Sequence, residues 1–390
     1  MSQADLDRVV ERVVALRRDF HQHPELGMEE HRTAGIVAQR LTELGLTPRT
    51  GVGGTGVTAV IEGAAGPGPT LLLRADMDAL AVHEEADVPF ASAVPGKMHA
   101  CGHDGHTAIL LGAAELLLGK RDRLRGRIKL AFQPDEETVR GARAMIDDGL
   151  LDDPPVDMAL GLHLWSGTAV GDIALAAGPI MACADRLEIV VRGRGGHASA
   201  PWETVDPVIA AAHIITALQT VVSRNVRADR QAVVTITQVM AGDTHNVIAE
   251  TARLIGTIRT FDADITRLVR ERVRSVATGV AASLGTDAQV TITEGPPPVV
   301  NDADLTETVR GVCGEVVSPE HVKAFEPVMG GEDFAFIAQQ VPSCFFFVGA
   351  RNEVDACDQP HHHPRFKIDE GSLTVGLRAM VAAAQRLLQG

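Results

Sequence analysis

The densest group of reactive side chains in the sequence is His99-Ala100-Cys101-Gly102-His103-Asp104-Gly105-His106, one cysteine and three histidines set among small residues. Few structural roles call for that combination, whereas thiolate and imidazole are the usual ligands of divalent transition metals. A two-residue step in extended chain returns a side chain to the same face, so Cys101 and His103 are expected to point at one ion, with Gly102 letting the backbone approach closely. A thiolate favours zinc, while ligand type alone leaves manganese, cobalt and nickel open. Other candidate groups lie far off in the chain: Asp76 and Asp78, Glu136-Glu137, His163, and His361-His362-His363. Singly, each has an ordinary explanation: a solvated glutamate loop, a hydrogen-bonded histidine at a strand exit, a histidine tract. Together they suggest division of labour. Extended geometry would send Glu136 and Glu137 in opposite directions, one to bind metal and the other free as general base for a water molecule. Hydrolysis is the natural consequence. A serine hydrolase elbow, G-x-S-x-G, is absent, and the glycines from Gly51 to Gly56 lack the lysine and following helix of a phosphate loop, so they read as a turn.

Each of these groups follows or precedes an apolar run that can position it. Two amphipathic helices open the chain, through Val9, Val13 and Phe20 and then through Val37 and Leu41. Strands are expected at 57–61, 71–73, 128–132 and 158–162, with helices over 109–117 and 142–146. That alternation predicts an α/β layer structure with a mostly parallel sheet, in which ligand sites lie at strand ends. From Arg186 the pattern changes to strand, helix, strand, strand, helix, strand, ending near Thr293, which is the order of a ferredoxin-like split βαβ unit. Stiff segments flank it, Ala176-Ala177-Gly178-Pro179 before and Gly295-Pro296-Pro297-Pro298 after. The α/β pattern then resumes, with helices from Leu305, near 334–339 and over 373–388, and a strand at 344–348. The reading is one discontinuous catalytic domain, 1–180 and 296–390, interrupted by an inserted α+β domain, 181–295.

Composition narrows the partners. A formal charge of −15, no tyrosine and an aromatic content of 3% argue against nucleic acid. The charged amphipathic start lacks the features of a secretory signal, and no run has the length of a membrane span. The five scattered cysteines form no C-x-x-C pair, and a reducing cytoplasm is the expected setting.

Through these same residues the chain resembles the hippurate hydrolase and N-acyl-amino-acid amidohydrolase branch of the two-metal aminoacylase/carboxypeptidase family, the branch that also holds the auxin-conjugate hydrolases of plants. The resemblance spans nearly the whole length, in RRDFHQHPELGMEE, LRADMDAL, HACGHDGHTA, FQPDEE, GLHLW, GRGGHAS, HNVI, GTIRTF, MGGEDFAF and HHPRF. It implies a phosphorylase/hydrolase-like catalytic α/β domain with a mixed, mostly parallel sheet and an inserted ferredoxin-like lid that forms a homodimer, a tetramer being the alternative. It also implies two divalent metal ions per subunit, held by Cys101, His103, Glu137, His163 and His362, with Cys101 bridging and His361 the alternative to His362. Glu136 would be general base and proton shuttle. His197 would reach the partner subunit's active site and polarise the scissile carbonyl, while Asn246 and Arg259 hold the substrate, Arg259 through its carboxylate. One of Asp76 and Asp78 would orient a ligand histidine, Glu332-Asp333 would help in the same way, and His106 would support the site without binding an ion. Asp135 stands where an alanine is common, which bears on substrate preference. The implied reaction cleaves an N-acyl or N-aroyl amino acid, a small-molecule substrate, to a carboxylic acid and a free amino acid. The alternatives are a dipeptidase or aminopeptidase with the same centre, and a metal-binding homologue without turnover.

Overall fold

A computed structural model of the chain describes residues 3–389. It opens with α1 (Gln3–Gln22), α2 (His31–Glu43), β1 (Arg49–Val52), β2 (Gly56–Glu62), β3 (Thr70–Asp76), α3 (His103–Leu118), β4 (Arg127–Gln133), α4 (Gly141–Asp147), β5 (Met158–Ala169), β6 (Ile173–Leu175) and β7 (Gly178–Met181). There follow β8 (Asp185–Arg192), β9 (Gly196–His197), α5 (Pro207–Asn225), β10 (Ala232–Ala241), β11 (Val247–Ile248), β12 (Thr251–Thr260), α6 (Ala263–Ser283) and β13 (Asp287–Thr293). The chain finishes with β14 (Val299–Asn301), α7 (Ala303–Val317), β15 (Val322–Ala324), α8 (Ala335–Ala338), β16 (Ser343–Arg351) and α9 (Gly371–Leu388). Two compact units result. The larger holds everything up to Gly178, Val300–Glu326 and the stretch from Asp333; the smaller holds Pro179–Val299 and Pro327–Glu332.

The larger unit is built on an eight-stranded mixed sheet in the order β1-β2-β4-β3-β5-β16-β6-β15. Its centre is parallel, from β4 through β3 and β5 to β16, while β1, β2 and the β16–β6 pair run antiparallel. β3 is buried along its whole length and β16 at every residue before Arg351, which explains why both read as continuous apolar runs instead of alternating ones. Helices α1, α3 and α9 pack together through Val9, Val13, Leu110, Ala113, Leu377 and Met380. Every residue of α3 but Glu115 and Leu118 is buried, so its N-terminus, with the Cys/His segment, begins inside the protein. The helix expected near 334–339 is a single turn, α8, and the three-residue strands β6 and β15 are too short to leave a periodic signal. Asn301 ties the two ends of this unit's interrupted chain: its Nδ2 donates to Ala176 O at 2.9 Å and Phe345 O at 2.8 Å, and its Oδ1 accepts from Phe345 N–H at 2.7 Å.

The smaller unit is a four-stranded antiparallel sheet in the order β10-β12-β8-β13, with α5 and α6 packed on each other and on the sheet around Leu187, Ile189, Ile214, Leu254 and Val273. Strand order and element order are those of the split βαβ motif. Asp206 caps α5, its carboxylate accepting from Val208 N–H at 2.8 Å just before Pro207 at the first helical position. Pro327–Glu332 joins this unit because Val328 N–H donates to Ile180 O at 3.0 Å and Ala182 N–H to Gly330 O at 2.9 Å.

Candidate metal centre

Five segments of the larger unit converge: the ends of β3 and β4, the middle of β5 at His163 and not its exit, the start of α3 and the turn around His362. Cys101 and His103 do come together, though not through an extended step. Gly102 takes a left-handed conformation (φ +99°) that begins α3 at His103, a backbone setting that any side chain would strain. Glu136 and Glu137 are likewise in a turn and not on a strand. β4 stops at Gln133, Pro134 has no N–H to continue the ladder, Asp135 is left-handed (φ +51°), and Val139 N–H closes on Glu136 O at 2.8 Å. The two carboxylates are therefore not sent to opposite faces; an oxygen of each lies within 4.8 Å of the other and of a His103 nitrogen.

Two ligand-type groups share one sulfur. Donor atoms of Cys101, His103 and His163 lie within 4.8 Å of one another, and so do those of Cys101, Glu137 and His362. Cys101 Sγ is 3.5 Å from His163 Nε2, and Glu137 Oε1 is 3.4 Å from His362 Nε2 and 4.0 Å from His103 Nε2. The donors are also presented ready for a cation. His103 Nδ1–H donates to Asp78 O at 2.9 Å and lies 3.2 Å from Asp78 Oδ1, leaving Nε2 bare; that atom and Glu137 Oε1 are buried without a hydrogen-bond partner. His163 Nδ1–H donates to Leu164 O at 2.8 Å, turning its Nε2 to the cysteine. Two facing, unbonded, buried polar atoms are costly unless something joins them, and a divalent ion suits this donor set.

Electrostatics agree with that fit. Burial raises the Cys101 thiol well above its ordinary range, and Glu137, Glu136 and Asp76 raise it further. Burial opposes charge on His103, yet Asp76, Asp78 and Glu137 prevail and lift its pKa to about 10. The pocket thus holds an excess of negative groups that calls for positive charge. The start of α3 also favours an anion at Cys101, but a helix end contributes only about 0.3–2 kcal/mol, too little to offset several carboxylates.

Behind these donors lies a buried support. Asp76 Oδ1 accepts from His106 Nδ1–H at 2.6 Å and its Oδ2 from Arg74 at 2.7 Å, and His106 Nε2 accepts Leu164 N–H at 2.9 Å. Although Asp76, His103 and His106 also cluster, Asp76 and His106 are thus already engaged. Asp333 accepts from Arg74 at 2.9 Å, Gln133 at 2.7 Å and Ala142 N–H at 2.9 Å. Glu137 N–H donates to Asp78 Oδ2 at 2.9 Å, so Asp78 steadies both a histidine and a glutamate. Of the histidine run, His362 faces Glu137 from a left-handed turn (φ +68°) held by its N–H on Ala100 O at 2.8 Å. The nitrogens of His361 bond elsewhere, Nε2 to Leu164 O at 3.0 Å and Nδ1 to Ser166 Oγ at 3.1 Å.

Sequence reasoning missed the contribution of the N-terminal motif. Glu30 is fully buried and accepts Asp135 N–H at 2.9 Å and the Thr55 hydroxyl, burial raising its pKa. A Cβ on Gly27 would lie 1.9 Å from Asp135 Oδ1, so only glycine fits there. Asp135 itself is fully buried, its carboxylate accepting from Thr138 and Arg140 at 2.7 Å each, which makes it a brace for the Glu136 turn. Asp104 accepts from Arg17 and His21 of α1 at 2.8 Å each, and His99 is fully buried outside the ligand groups, burial lowering its pKa to about 3. The signal for these partners was the charged, histidine-bearing motif at 17–30.

The three remaining candidates belong to the smaller unit. His197 is exposed on β9, paired with Val247 of β11, and its Nδ1 accepts from Ser199 Oγ at 2.8 Å. Asn246 adjoins it, its carbonyl accepting Ala198 N–H at 3.1 Å. Arg259 is half-buried on β12, donating to Ile258 O at 3.1 Å and to Thr257 Oγ1.

Comparison with known proteins places this geometry. The chain is 40% identical over 388 residues to N-acetyl-L-cysteine deacetylase of Bacillus subtilis, covering 98% of this chain and 90% of that one. It is 37% identical to an IAA-amino acid hydrolase of Arabidopsis thaliana, covering 96% and 86%. A crystal structure of the Bacillus subtilis YXEP protein, described as a dinuclear metal binding peptidase, superposes with a TM-score of 0.84 at 36% identity, covering 98% and 99%. The model of peptidase family M20/M25/M40 matches residues 72–386, and the chain, an amidohydrolase by its relatives, belongs to that family.

Proposed function

We propose that this protein hydrolyses the amide bond of N-acyl or N-aroyl amino acids, releasing a carboxylic acid and a free amino acid. The observation that carries the reading is the pair of donor groups sharing Cys101, with Glu136 beside them. Cys101, His103 and His163 would hold one divalent ion, and Cys101, Glu137 and His362 the other. Such ions, when bound, acidify water and polarise the amide carbonyl. The thiolate favours zinc, with manganese, cobalt and nickel as alternatives to be compared.

The chain's own residues do the rest. Glu136, buried and set in a braced turn, takes a proton from the attacking water and delivers it to the leaving nitrogen, so that water's oxygen stays with the acyl group and its hydrogens reach the amine and the acid. Asp78 and the Leu164 carbonyl hold the imidazoles of His103 and His163 in the tautomers that leave Nε2 bare. Arg259 and Asn246 bind the substrate carboxylate end, and His197 stabilises the developing oxyanion in a partner subunit. The smaller unit serves as a lid and joins two copies: β10 is an edge strand of its sheet and leaves Val239 and Met240 exposed. Five unpaired cysteines suit the cytoplasm.

The test is a hydrolysis screen of N-benzoyl, N-acetyl and indole-acetyl amino acids beside free dipeptides, with zinc, manganese and cobalt compared. Cleavage of the acylated substrates is expected; cleavage only of peptides with a free amino terminus would overturn the reading.

A further inference from the structure

We infer that His361 is a positioning residue of the metal centre, acting on His163 through the main chain of Leu164; the inference rests on the ligand assignment proposed above. The opportunity is created by unequal strands. β3 pairs with β5 only from Leu71 opposite Met158 to Arg74 opposite Gly161, whereas β16 follows the other edge of β5 as far as Ala169. Past Gly161 the inner edge of β5 has no strand to bond, and histidine rings take the place of one. Leu164 N–H donates to His106 Nε2 at 2.9 Å, and Leu164 O accepts from His163 Nδ1–H at 2.8 Å and from His361 Nε2–H at 3.0 Å.

One carbonyl therefore carries two imidazole donors, using both of its lone pairs. Ser166 Oγ–H, 3.1 Å from His361 Nδ1, fixes the remaining nitrogen as an acceptor, so this ring has no lone pair left for an ion. The ring is also clamped sideways, 4.6 Å from Trp165 and 5.0 Å from Phe366 between centroids, with His163 edge-on at 5.1 Å. The result is a fixed acceptor at Leu164 O that holds His163 with its Nε2 toward Cys101. The adjacent His362 differs on every point, facing Glu137 and half exposed. Neighbouring histidines in one turn thus divide the work: one binds, the other aims.

The experiment measures cobalt binding to the full chain by competition with a chromophoric chelator, together with the visible spectrum of the cobalt-loaded protein. His361→Phe keeps the aromatic stack and removes both hydrogen bonds; it is expected to weaken one of the two sites roughly 10- to 100-fold while two ions still bind at saturation with the ligand-field pattern intact. His361→Gln restores an N–H donor and should return affinity to within about threefold, and Ser166→Ala should weaken the same site by about threefold. Wild-type affinity in both His361→Phe and Ser166→Ala would overturn the inference, leaving His361 as packing alone. So would loss of one ion at saturation with a changed spectrum in both His361 variants, which would make His361 a ligand. His163→Ala that still binds two ions at wild-type affinity would overturn the ligand assignment instead.

Discussion

The candidate residues of the larger unit and those of the smaller one are held in opposite ways. In the larger unit nearly every donor is buried and tied from behind: His103 by Asp78, His163 by Leu164 O, Glu137 by its N–H on Asp78, and Asp76 by Arg74. In the smaller unit His197 and Asn246 are exposed and bonded to near neighbours in sequence, Ser199 and Thr244. A centre that gathers several negative groups needs fixed partners to keep them together, and its support is inseparable from the fold. Side chains that would meet a substrate from the surface, the role proposed for His197 and Asn246, need little support. Substitutions of the donors and their braces in the first region should therefore disturb metal binding and stability together, and those in the second should disturb turnover alone.

Glu136→Gln should have the largest effect. Turnover is expected to fall by roughly 10²–10⁴-fold with two ions retained, measured by initial rates and metal analysis, because only the proton acceptor is lost. Surviving activity would remove Glu136 from the role of base. His197→Ala tests the other side of the comparison: kcat should fall by roughly 10²–10³-fold while unfolding free energy stays within about 0.5 kcal/mol of wild type. A large stability loss there would erase the distinction between the regions.

Arg74→Met should do the reverse. The guanidinium is buried between Asp76 and Asp333, so its loss leaves two buried carboxylates without their shared cation and should lower unfolding free energy by about 3–5 kcal/mol in a denaturant titration of the metal-free protein. Glu30→Ala should lower it by about 1–3 kcal/mol, leaving Asp135 N–H and the Thr55 hydroxyl unpaired, and should slow kcat more than it changes KM because the Glu136 turn loosens.

The smallest effect is a slope with pH. His21 is buried among Asp104, Glu84, Arg17, His99 and Phe90; burial and Arg17 oppose its charge, but hydrogen bonds to Asp104 and Glu84 leave its pKa raised. Its contribution to stability is therefore complete below the unfolded value of about 6.5 and is lost as pH rises through the folded value, by at most about 1.4 kcal/mol per pH unit. His21→Gln should remove that slope from stability measured between neutral and alkaline pH; an unchanged slope would place the titrating group elsewhere.

The order of elements was legible because long buried strands leave continuous apolar runs, as at β3, and amphipathic helices leave periodic ones, as at α6 and α9. The candidate residues Asp76, Cys101, His103, Glu136 and His163 were legible because each borders or interrupts an apolar run. The local geometry was not. Gly102 and Asp135 reverse the chain through left-handed conformations, and extended alternation fails at both. Nor could the braces be read: Glu30 meets Asp135, and His21 meets Asp104, across long stretches of chain that no local pattern spans. Hydrogen bonds to main chain, such as those on Leu164, leave no mark on residue type at all.

Asn301 has a wider consequence. By bonding Ala176 and both polar groups of Phe345, it brings the point where the chain leaves the larger unit beside the point where it returns. A detour that begins and ends at one place can be lengthened, shortened or exchanged without breaking the scaffold around it. A short linker across residues 179–299 should let the larger unit be made by itself.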